Sequence, residues 1–430
     1  MTTDPTAGAL ADPVADVAVV GAGLAGLACA RRLEDAGFGV RVLEKSHRVG
    51  GRIGTDVIDG FRVDRGFMWL DAGHPDVRDV LDVAALNPRP IERGMVLAHP
   101  EGYRILQGSQ ASLIAAIRSG LGQPQDVARL VRWSDPLRRP QDRITHGADM
   151  TLEQSLDRHG ISGRIREEVL RPFFRLLFGD EDLQTSYQYA MLTMQQLVLG
   201  SPALPALGMQ SVPNQLALGL DRPVEHGVDV MGLARTDAGY VRLLTDGGEI
   251  RTRAAVVATD PVTASGLLGI GTPMMRVQSS WWFAMPVSPT SQRTPFVNPL
   301  GPAGGPVAHA MVVSNIAPRY ASPAQHLVAA CCIPLPGTEP GLETEAEVRR
   351  QLGQIFRTDT ASWTVVTRQV SAEAWPAVRP PLLSGRDVDL GDGVFVAGDH
   401  RDSAGISGAL RSGVRAAAAV RELLGAPAER

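Results

Sequence analysis

The stretch that most constrains the fold of this chain is DVAVVGAGLAGLACARRLEDAGFGVRVLEK, residues 16–45. Residues 17–20 are apolar and mostly β-branched, which is typical of a strand in a parallel sheet buried on both faces. Residues 24–36 carry apolar side chains at helical spacing, and Gly37 is a stop signal. Residues 40–43 have the pattern of a second strand. The stretch therefore predicts a βαβ unit within about 30 residues.

The turn between this strand and this helix is GAGLAG, a GxGxxG fingerprint in the context that makes it specific for a dinucleotide. Gly21 allows the tight turn, Gly23 lets the backbone approach a pyrophosphate, and Gly26 permits close packing of the helix on the strand. Glu44 follows 18 residues after Gly26 and is predicted to accept hydrogen bonds from ribose hydroxyls. A glycine turn without a ligand is the alternative. The residues of the predicted turn are Gly21, Ala22, Gly23, Leu24, Ala25 and Gly26.

The fingerprint does not decide between NAD and FAD, but three other segments bear on the choice. RVGGR follows Glu44, and its two adjacent glycines allow a second close approach of the backbone, with Arg52 against a diphosphate. DRGFMW follows at residues 64–69. Near the other end, VFVAGD predicts a buried strand that ends in Gly398-Asp399, and GISGA opens a helix at Gly405.

Together these segments resemble the flavoprotein superfamily of amine oxidases, protoporphyrinogen oxidases and phytoene-type desaturases, over nearly the whole chain. The resemblance implies an α/β fold: a discontinuous Rossmann-like FAD-binding domain with a parallel sheet, and an inserted α+β substrate domain with a mixed sheet and helices. It implies that the N-terminus of the last helix faces the flavin and stabilises its reduced form. Besides the glycine turn, the residues that it places at the FAD are Glu44, Lys45, Gly50, Gly51, Arg52, Phe67, Met68, Trp69, Val230, Gly398, Asp399, Gly405 and Ile406.

The composition is that of a globular protein: 430 residues, 44% hydrophobic, 20% charged, with a net charge of −4. The chain has no basic block that would favour nucleic acid and no run of about 18 apolar residues that would predict a spanning helix. Residues 1–14 are interpreted as a disordered leader, because they lack the basic and apolar regions of a signal peptide. Three cysteines without a secretion signal favour a cytoplasmic location.

Strand-rich and helix-rich stretches alternate along the chain, which predicts domains assembled from separated segments. The FAD-binding domain is assigned to residues 15–84, 206–275 and 386–430. The substrate domain is assigned to residues 85–205, which have mostly helical patterns, and to residues 276–385, which mix strands with proline-rich turns.

The reaction is constrained by an absence, since the chain has 41 arginines but only one lysine, Lys45. In the classical amine oxidases of the superfamily that this chain resembles, a lysine of the substrate domain holds a water near flavin N5. The resemblance also places an amine-binding aromatic residue where this chain has Gly405. Some members attach FAD through a cysteine shortly before the last helix, whereas the last cysteine here is Cys332. We therefore expect non-covalent FAD and hydride transfer to N5 from a largely apolar substrate, as in desaturases or protoporphyrinogen oxidases. A flavin amine oxidase is the alternative.

Pocket candidates come from the second half of the chain. Trp281, Trp282 and Phe283 are adjacent, and ordinary core packing is the other interpretation of this run. Trp375 precedes the final strand, where the family lines the flavin face. His400 follows Asp399 and is interpreted either as a cofactor contact or as a hydrogen-bonded loop histidine. Neither a specific catalytic residue nor a metal site is predicted.

Partners are predicted in outline. A second glycine motif for NADPH is not evident, so electrons are expected to pass to O2, a quinone or another carrier. Residues 112–139, which include Ile114, Ile117, Leu130 and Trp133, are interpreted as a membrane-contacting surface or as amphipathic helices packed on the substrate domain. Alternatives of another class are a non-redox FAD-dependent isomerase and a catalytically silent FAD-binding partner protein.

Overall fold

The computed structural model describes residues 15–66, 69–107, 120, 122–236, 239–334, 339 and 341–425. The predicted leader and two predicted cofactor residues, Phe67 and Met68, lie outside these ranges. The described chain forms two seven-stranded sheets, two smaller sheets and a set of helices. This arrangement confirms the predicted α/β class, while the domain boundaries given above stay a prediction.

The first large sheet, the nucleotide-binding sheet, contains the predicted βαβ unit. Strand Ala15–Val20 lies between Val40–Glu44 and Gly248–Val257 and is parallel to both. Helix Leu24–Asp35 connects the first two strands, and the apolar side chains of the first strand are buried because helices cover the sheet. The other strands of this sheet are Glu225–His226, Val230–Arg235, Val241–Thr245 and Val394–Val396.

A hairpin and the C-terminal helix extend this part of the molecule, and the helix confirms the prediction that it opens at Gly405. Thr245 pairs with Gly248 in an antiparallel register, so Asp246 and Gly247 form a two-residue hairpin loop as their sequence indicates. The C-terminal helix runs over Ile406–Leu424 and packs on the first helix so closely that a Cβ on Gly413 would lie 2.2 Å from the Ala25 carbonyl oxygen. Helices Pro75–Val80, Ser211–Leu218 and Pro261–Leu268 complete this part of the molecule.

The second large sheet, the substrate-side sheet, is mixed, because Phe296–Val297 runs parallel to Gly94–His99 and every other pair is antiparallel. Helix Glu345–Phe356 packs against it, and its Val348, Leu352 and Phe356 join the apolar cluster on that face. In spatial order the strands of this sheet are Thr364–Pro376, Met275–Met285, His326–Cys332, Val307–Val312, Phe296–Val297, Gly94–His99 and Gly102–Gln107.

A helical layer built around Trp133 and Phe174 packs beside this sheet. Trp133 is 1% exposed and donates from Nε1 to Ser155 Oγ at 3.0 Å. Leu130 is also buried, so both side chains serve packing, and a membrane contact through them is wrong; Ile114 and Ile117 lie outside the described residues. The helices of this layer are Pro124–Trp133, Gln141–Ile144, Leu152–Arg158, Gly163–Ile165, the π-helix Arg166–Leu170, Arg171–Phe178 and Tyr187–Leu199.

Two small sheets link the large ones. Thr55–Ile58 pairs with Phe61–Asp64, and Pro202–Pro205 lies between Leu70–Asp71 and Pro88–Pro90. Within the ranges described, no helix has the length and apolar character needed to cross a membrane. The remaining short helices are Val313–Ile316, Asp135–Arg138, Gly301–Gly304, Pro318–Tyr320 and Asp399–Arg401.

Candidate functional site

The glycine turn has the geometry that its sequence predicts. Gly21 has φ of +101°, and a Cβ there would lie 2.8 Å from the Ala258 carbonyl oxygen. A Cβ on Gly26 would lie 2.0 Å from the Gly21 carbonyl oxygen, so the helix packs directly on the turn. A Cβ on Gly23 would have only the Ala258 oxygen within 4.0 Å. Because Gly23 lines a cavity, its missing side chain leaves room for a ligand against the backbone.

Glu44 ends the second strand beside this turn. Its Oε2 accepts a hydrogen bond from the Ala22 N–H at 2.7 Å, and its Oε1 accepts from the Ser46 N–H at 2.9 Å. Lys45 extends into solvent, and its Nζ lies 2.7 Å from Asp229 Oδ2. Glu44, Lys45, Asp229 and Val230 line the same end of the cavity, so the polar and charged groups expected at an adenosine are together.

The Gly-Gly-Arg segment meets the C-terminal Gly-Asp across more than 340 residues of chain. Arg52 Nη2 donates to Asp399 Oδ1 at 2.5 Å, and Arg52 Nη1 donates to the Ala374 carbonyl oxygen at 3.3 Å. Asp399 Oδ2 accepts from the Gly405 N–H at 3.2 Å. Gly405, with φ of +110°, begins the C-terminal helix. One carboxylate therefore holds both a cavity arginine and the N-terminus of the last helix.

These segments surround one elongated cavity of about 660 Å³. It begins at Glu44 and Val230, passes the glycine turn and Arg52, and ends among side chains of the helical layer and the substrate-side sheet. Of the residues predicted from sequence, those that line it are Gly21, Gly23, Leu24, Ala25, Glu44, Lys45, Gly50, Gly51, Arg52, Trp69, Val230, Trp375, Gly398, Asp399, Gly405 and Ile406. Ala22 and Gly26 lie behind this lining, in the packing of the turn.

The inner end of the cavity contains residues that no sequence pattern indicated. Leu176, Leu177 and Leu197 supply an apolar wall. Tyr189 also lines it and donates from its hydroxyl to the Ala404 carbonyl oxygen at 3.1 Å. The spacing of Tyr189, Thr193 and Leu197 predicts that they lie on one face of a helix. It does not predict which part of the molecule that face contacts.

Two polar residues of the substrate-side sheet complete this end, Gln278 and His309. Burial, followed by the nearby Arg175 guanidinium, lowers the pKa of His309 to about 3, so its imidazole is neutral at ordinary pH. Trp375 reaches the same end and is fixed there, since its Nε1 donates to the Phe178 carbonyl oxygen at 3.2 Å.

The prediction that Trp281, Trp282 and Phe283 form the pocket is wrong, because their strand lies inside two packed layers. Successive side chains of a strand point to opposite faces. Trp281 and Phe283 therefore pack under helix Glu345–Phe356, where the Trp281 Nε1 donates to Glu343 Oε1 at 3.0 Å. Trp282 is fully buried on the other face.

His400 is buried beside the cavity and does not line it. Neither ring nitrogen has a hydrogen-bond partner among the residues that the structure describes. Both interpretations of His400 are therefore wrong. In the described structure its ring is not hydrogen-bonded, and it does not line the cavity. Burial lowers the pKa of His400 to about 4.

This shift makes a prediction for stability. The unfolded chain binds a proton at His400 near pH 6.5 and the folded chain only near pH 4. The free energy of unfolding should therefore fall as the pH drops from 6.5 to 4, by up to about 3 kcal/mol from this residue. In H400Q this fall should become smaller, as measured by chemical denaturation across that pH range. The exposed-site variant H47Q is the control, and an unchanged pH slope in H400Q would contradict the assignment.

The cysteines take no part in the cavity. Cys29 lies in the first helix and Cys331 and Cys332 lie in a strand of the substrate-side sheet, all buried and unpaired by disulfides. Burial raises the pKa of each thiol, which keeps them protonated and unreactive. No group of three metal-ligating side chains occurs among the residues with described positions.

Together these features fit a flavin nucleotide. A glycine turn at a helix N-terminus accepts a diphosphate, Arg52 adds a positive charge at mid-cavity, and Gly405 brings a second helix N-terminus to the cavity farther along. A second helix N-terminus beyond the diphosphate is suited to the ring system of a flavin, whose reduced form is negatively charged.

Comparison with known proteins agrees with this geometry. The sequence profile of the family described as flavin containing amine oxidoreductase matches residues 24–421. Phytoene dehydrogenase of Streptomyces griseus is 31% identical over 291 residues, and putrescine oxidase of Kocuria rosea is 30% identical over 283 residues. These alignments cover 60% and 61% of this chain and 56% of each relative, so the chain spans little more than half the length of the relatives.

Among solved structures, an oxidoreductase from Methanosarcina mazei superposes with a TM-score of 0.76 at 16% identity, over 94% of this chain and 99% of the other. At this identity the likeness concerns the fold alone. The profile match and the glycine, Glu44 and Arg52 geometry of the cavity lead to one conclusion: the chain belongs to the family of flavin containing amine oxidoreductases.

Proposed function

We propose that this protein is an FAD-dependent oxidoreductase that takes hydride from a largely apolar small molecule onto flavin N5, with O2 or a quinone as the final acceptor. The observation that carries the proposal is the apolar wall at the inner end of the cavity, which is formed by Leu176, Leu177, Leu197 and Trp375. An apolar pocket that excludes water is what hydride transfer from a C–H bond needs, and a side-chain base is optional.

Non-covalent binding is the second part of the proposal. The three cysteines of the chain are all described and buried away from the cavity, which argues against a thioether to the flavin. The glycine turn, Arg52 and the two helix N-termini supply enough contacts to hold FAD by charge and hydrogen bonds.

The flavin, when bound, supplies the hydride acceptor; the roles proposed for the chain are binding and orientation. Glu44 accepts hydrogen bonds from the ribose hydroxyls, and Arg52 neutralises the charge of the diphosphate. Asp399 holds the Arg52 side chain in place. Tyr189 fixes Ala404 immediately before the last helix, which stabilises the helix terminus that faces the flavin. The leucine wall and Trp375 exclude water from the substrate.

A flavin amine oxidase is the second candidate, favoured by the likeness to a putrescine oxidase. The position of the single lysine speaks against it. Lys45 is paired with Asp229 at the adenosine end of the cavity, so none remains to hold a water at flavin N5. Arginine is a poor substitute, because its planar, permanently charged group does not act as a compact ammonium.

The proposal predicts which compounds reduce the enzyme. Purified protein with bound FAD is mixed anaerobically with a panel of polyenes, tetrapyrroles and simple amines, and the flavin absorption is followed. We expect bleaching by at least one apolar member of the panel and none by simple amines, with colour restored by air or a quinone. Rapid bleaching by amines alone would establish the amine oxidase instead.

The same experiment separates the alternatives of other classes. An isomerase would convert its substrate with no net consumption of electrons, which product analysis without an acceptor would detect. A silent partner protein would convert nothing. A protein that takes up no FAD would contradict the proposal altogether.

A further inference from the structure

The inner end of the cavity is bordered by a row of hydrogen-bond donors on one strand. Gln278, Ser280 and Trp282 are alternate residues of strand Met275–Met285, so their side chains lie on one face of the substrate-side sheet. This face packs against the small sheet that contains Phe61–Asp64, since Trp282 lies in one cluster with Phe61. Gln278 is the member of the row that reaches the cavity.

All three donors are buried without a partner. Gln278, Ser280 and Trp282 are 3%, 1% and 0% exposed. Within the ranges that the structure describes, Gln278 Nε2, Ser280 Oγ and Trp282 Nε1 make no hydrogen bond. Buried donors are normally paired because an unpaired one costs free energy. Gln278 is the one of these three residues that lines the cavity, so its Nε2 is a donor available to a ligand.

The surroundings of Gln278 select the kind of ligand. Its Nε2 lies 3.8 Å from where a Cβ of Gly66 would stand, so the amide is beside the segment that precedes Trp69 in the cavity wall. His309, also in the wall, is neutral. Behind it Arg175 is 1% exposed, with Nε 2.9 Å from Glu181 Oε2 and Nη1 unpartnered in the described part of the chain.

This end of the cavity therefore offers one unpaired donor, Gln278 Nε2, and the Arg175 guanidinium lies buried near His309. An ammonium group carries donors only, so it would gain no hydrogen bond from Gln278 Nε2 and would lie near the like charge of Arg175. A carbonyl or carboxylate oxygen would accept from the Gln278 amide and gain from the charge of Arg175. The leucine wall beside it fits an apolar body.

We infer that the substrate has an apolar body with an oxygen acceptor, a carbonyl or carboxylate oxygen, and that the Gln278 amide binds this oxygen at the inner end of the cavity. The inference rests on the proposed function in taking this end as the substrate site. It assigns Gln278 as a binding and specificity-determining residue.

The test is a binding measurement on the protein with FAD bound. Decan-2-one, decanoate and decylamine, which share a chain length, are each titrated anaerobically while the visible absorption of the flavin reports binding. We expect the ketone or the carboxylate to bind at least about tenfold more tightly than the amine, and the stronger of the two identifies the oxygen group. Tighter binding of decylamine than of both oxygen probes would overturn the inference without any variant.

The variant Q278M keeps the size of the side chain and removes the donor. We expect Q278M to bind the preferred oxygen probe about tenfold more weakly than the parent protein does. Its affinity for decylamine should stay within about twofold of the parent value. Q278E, which presents a carboxylate instead, should reverse the preference toward the amine. A change in the ligand-free flavin spectrum of Q278M with unchanged probe affinities would show that the amide serves the flavin, and would overturn the inference.

These outcomes are independent of turnover. If the probes show the expected preference but no compound bleaches the flavin, the proposed oxidation fails while the assignment of Gln278 stands. If apolar substrates bleach the flavin but the probes bind without preference, the oxidation stands and the assignment fails.

Discussion

Replacing Gly26 by valine is expected to give a protein that holds no flavin and is destabilised by about 3 kcal/mol or more. A Cβ at this position would lie 2.0 Å from the Gly21 carbonyl oxygen and 3.2 Å from the Ala258 side chain. Both neighbours belong to the turn or to a buried strand end, so neither yields without moving the first helix away from the sheet. Flavin absorption per chain and chemical denaturation measure the two effects.

The chain provides a matched control for this prediction. Gly266 also lies inside a helix, Pro261–Leu268, but a Cβ there would have nothing within 4 Å. G266A should therefore keep its flavin and become slightly more stable, since alanine restricts the unfolded chain. Full flavin content in G26V, or loss of flavin in G266A, would contradict the role given to the turn.

Replacing Asp399 by alanine is expected to cause the second largest loss. The Asp399 carboxylate is 3% exposed and binds both Arg52 and the Gly405 N–H. Without it, Arg52 loses its anchor and the N-terminus of the last helix loses an acceptor. We expect the free energy of unfolding to fall by about 1 to 3 kcal/mol, since hydrogen bonds to charged groups contribute this much. We also expect FAD to bind at least about tenfold more weakly.

Two comparisons make the Asp399 result specific. D399N keeps the shape and part of the hydrogen bonding, so it should lie between D399A and the parent protein in FAD affinity. D79A removes an exposed ion pair with Arg32, which is worth at most about 1 kcal/mol, and should leave FAD affinity unchanged. Equal FAD affinities of D399A and D79A, measured by fluorescence of released flavin, would contradict the anchoring role.

The half of the site that binds the nucleotide was readable from the sequence because its signals are local. The alternation of strand, glycine turn and helix within residues 16–45 predicts both the fold of this part and a place for phosphates at the turn. Glu44 is predictable in the same way, because the second strand of the βαβ unit runs parallel to the first and ends at Glu44 beside the turn. The resemblance placed Arg52 and Asp399 each at the FAD, and only the fold showed that the two side chains bind each other at 2.5 Å.

The substrate end was not readable, because its residues come from five separated segments. The run of Trp281, Trp282 and Phe283 looked like a pocket, but the sheet places these rings in two packed layers. Gln278, three residues earlier, has no distinguishing pattern in the sequence. It lines the cavity because its strand passes close to Gly66.

By itself the sequence determined the nucleotide-binding βαβ unit, the family, and the absence of any lysine beyond Lys45. The βαβ unit rests on short-range periodicity, the family on the resemblance carried by its motifs, and the lysine count on composition, and none of these depends on how distant segments meet. Only the tertiary structure decided which polar groups face the inner cavity and which are covered. The reason is physical: the direction of a side chain follows from strand pairing and layer packing between segments far apart in the chain. Gln278 and Trp281 lie on one strand, but their side chains point to opposite faces of the sheet. Gln278 therefore lines the cavity, whereas Trp281 packs in the core.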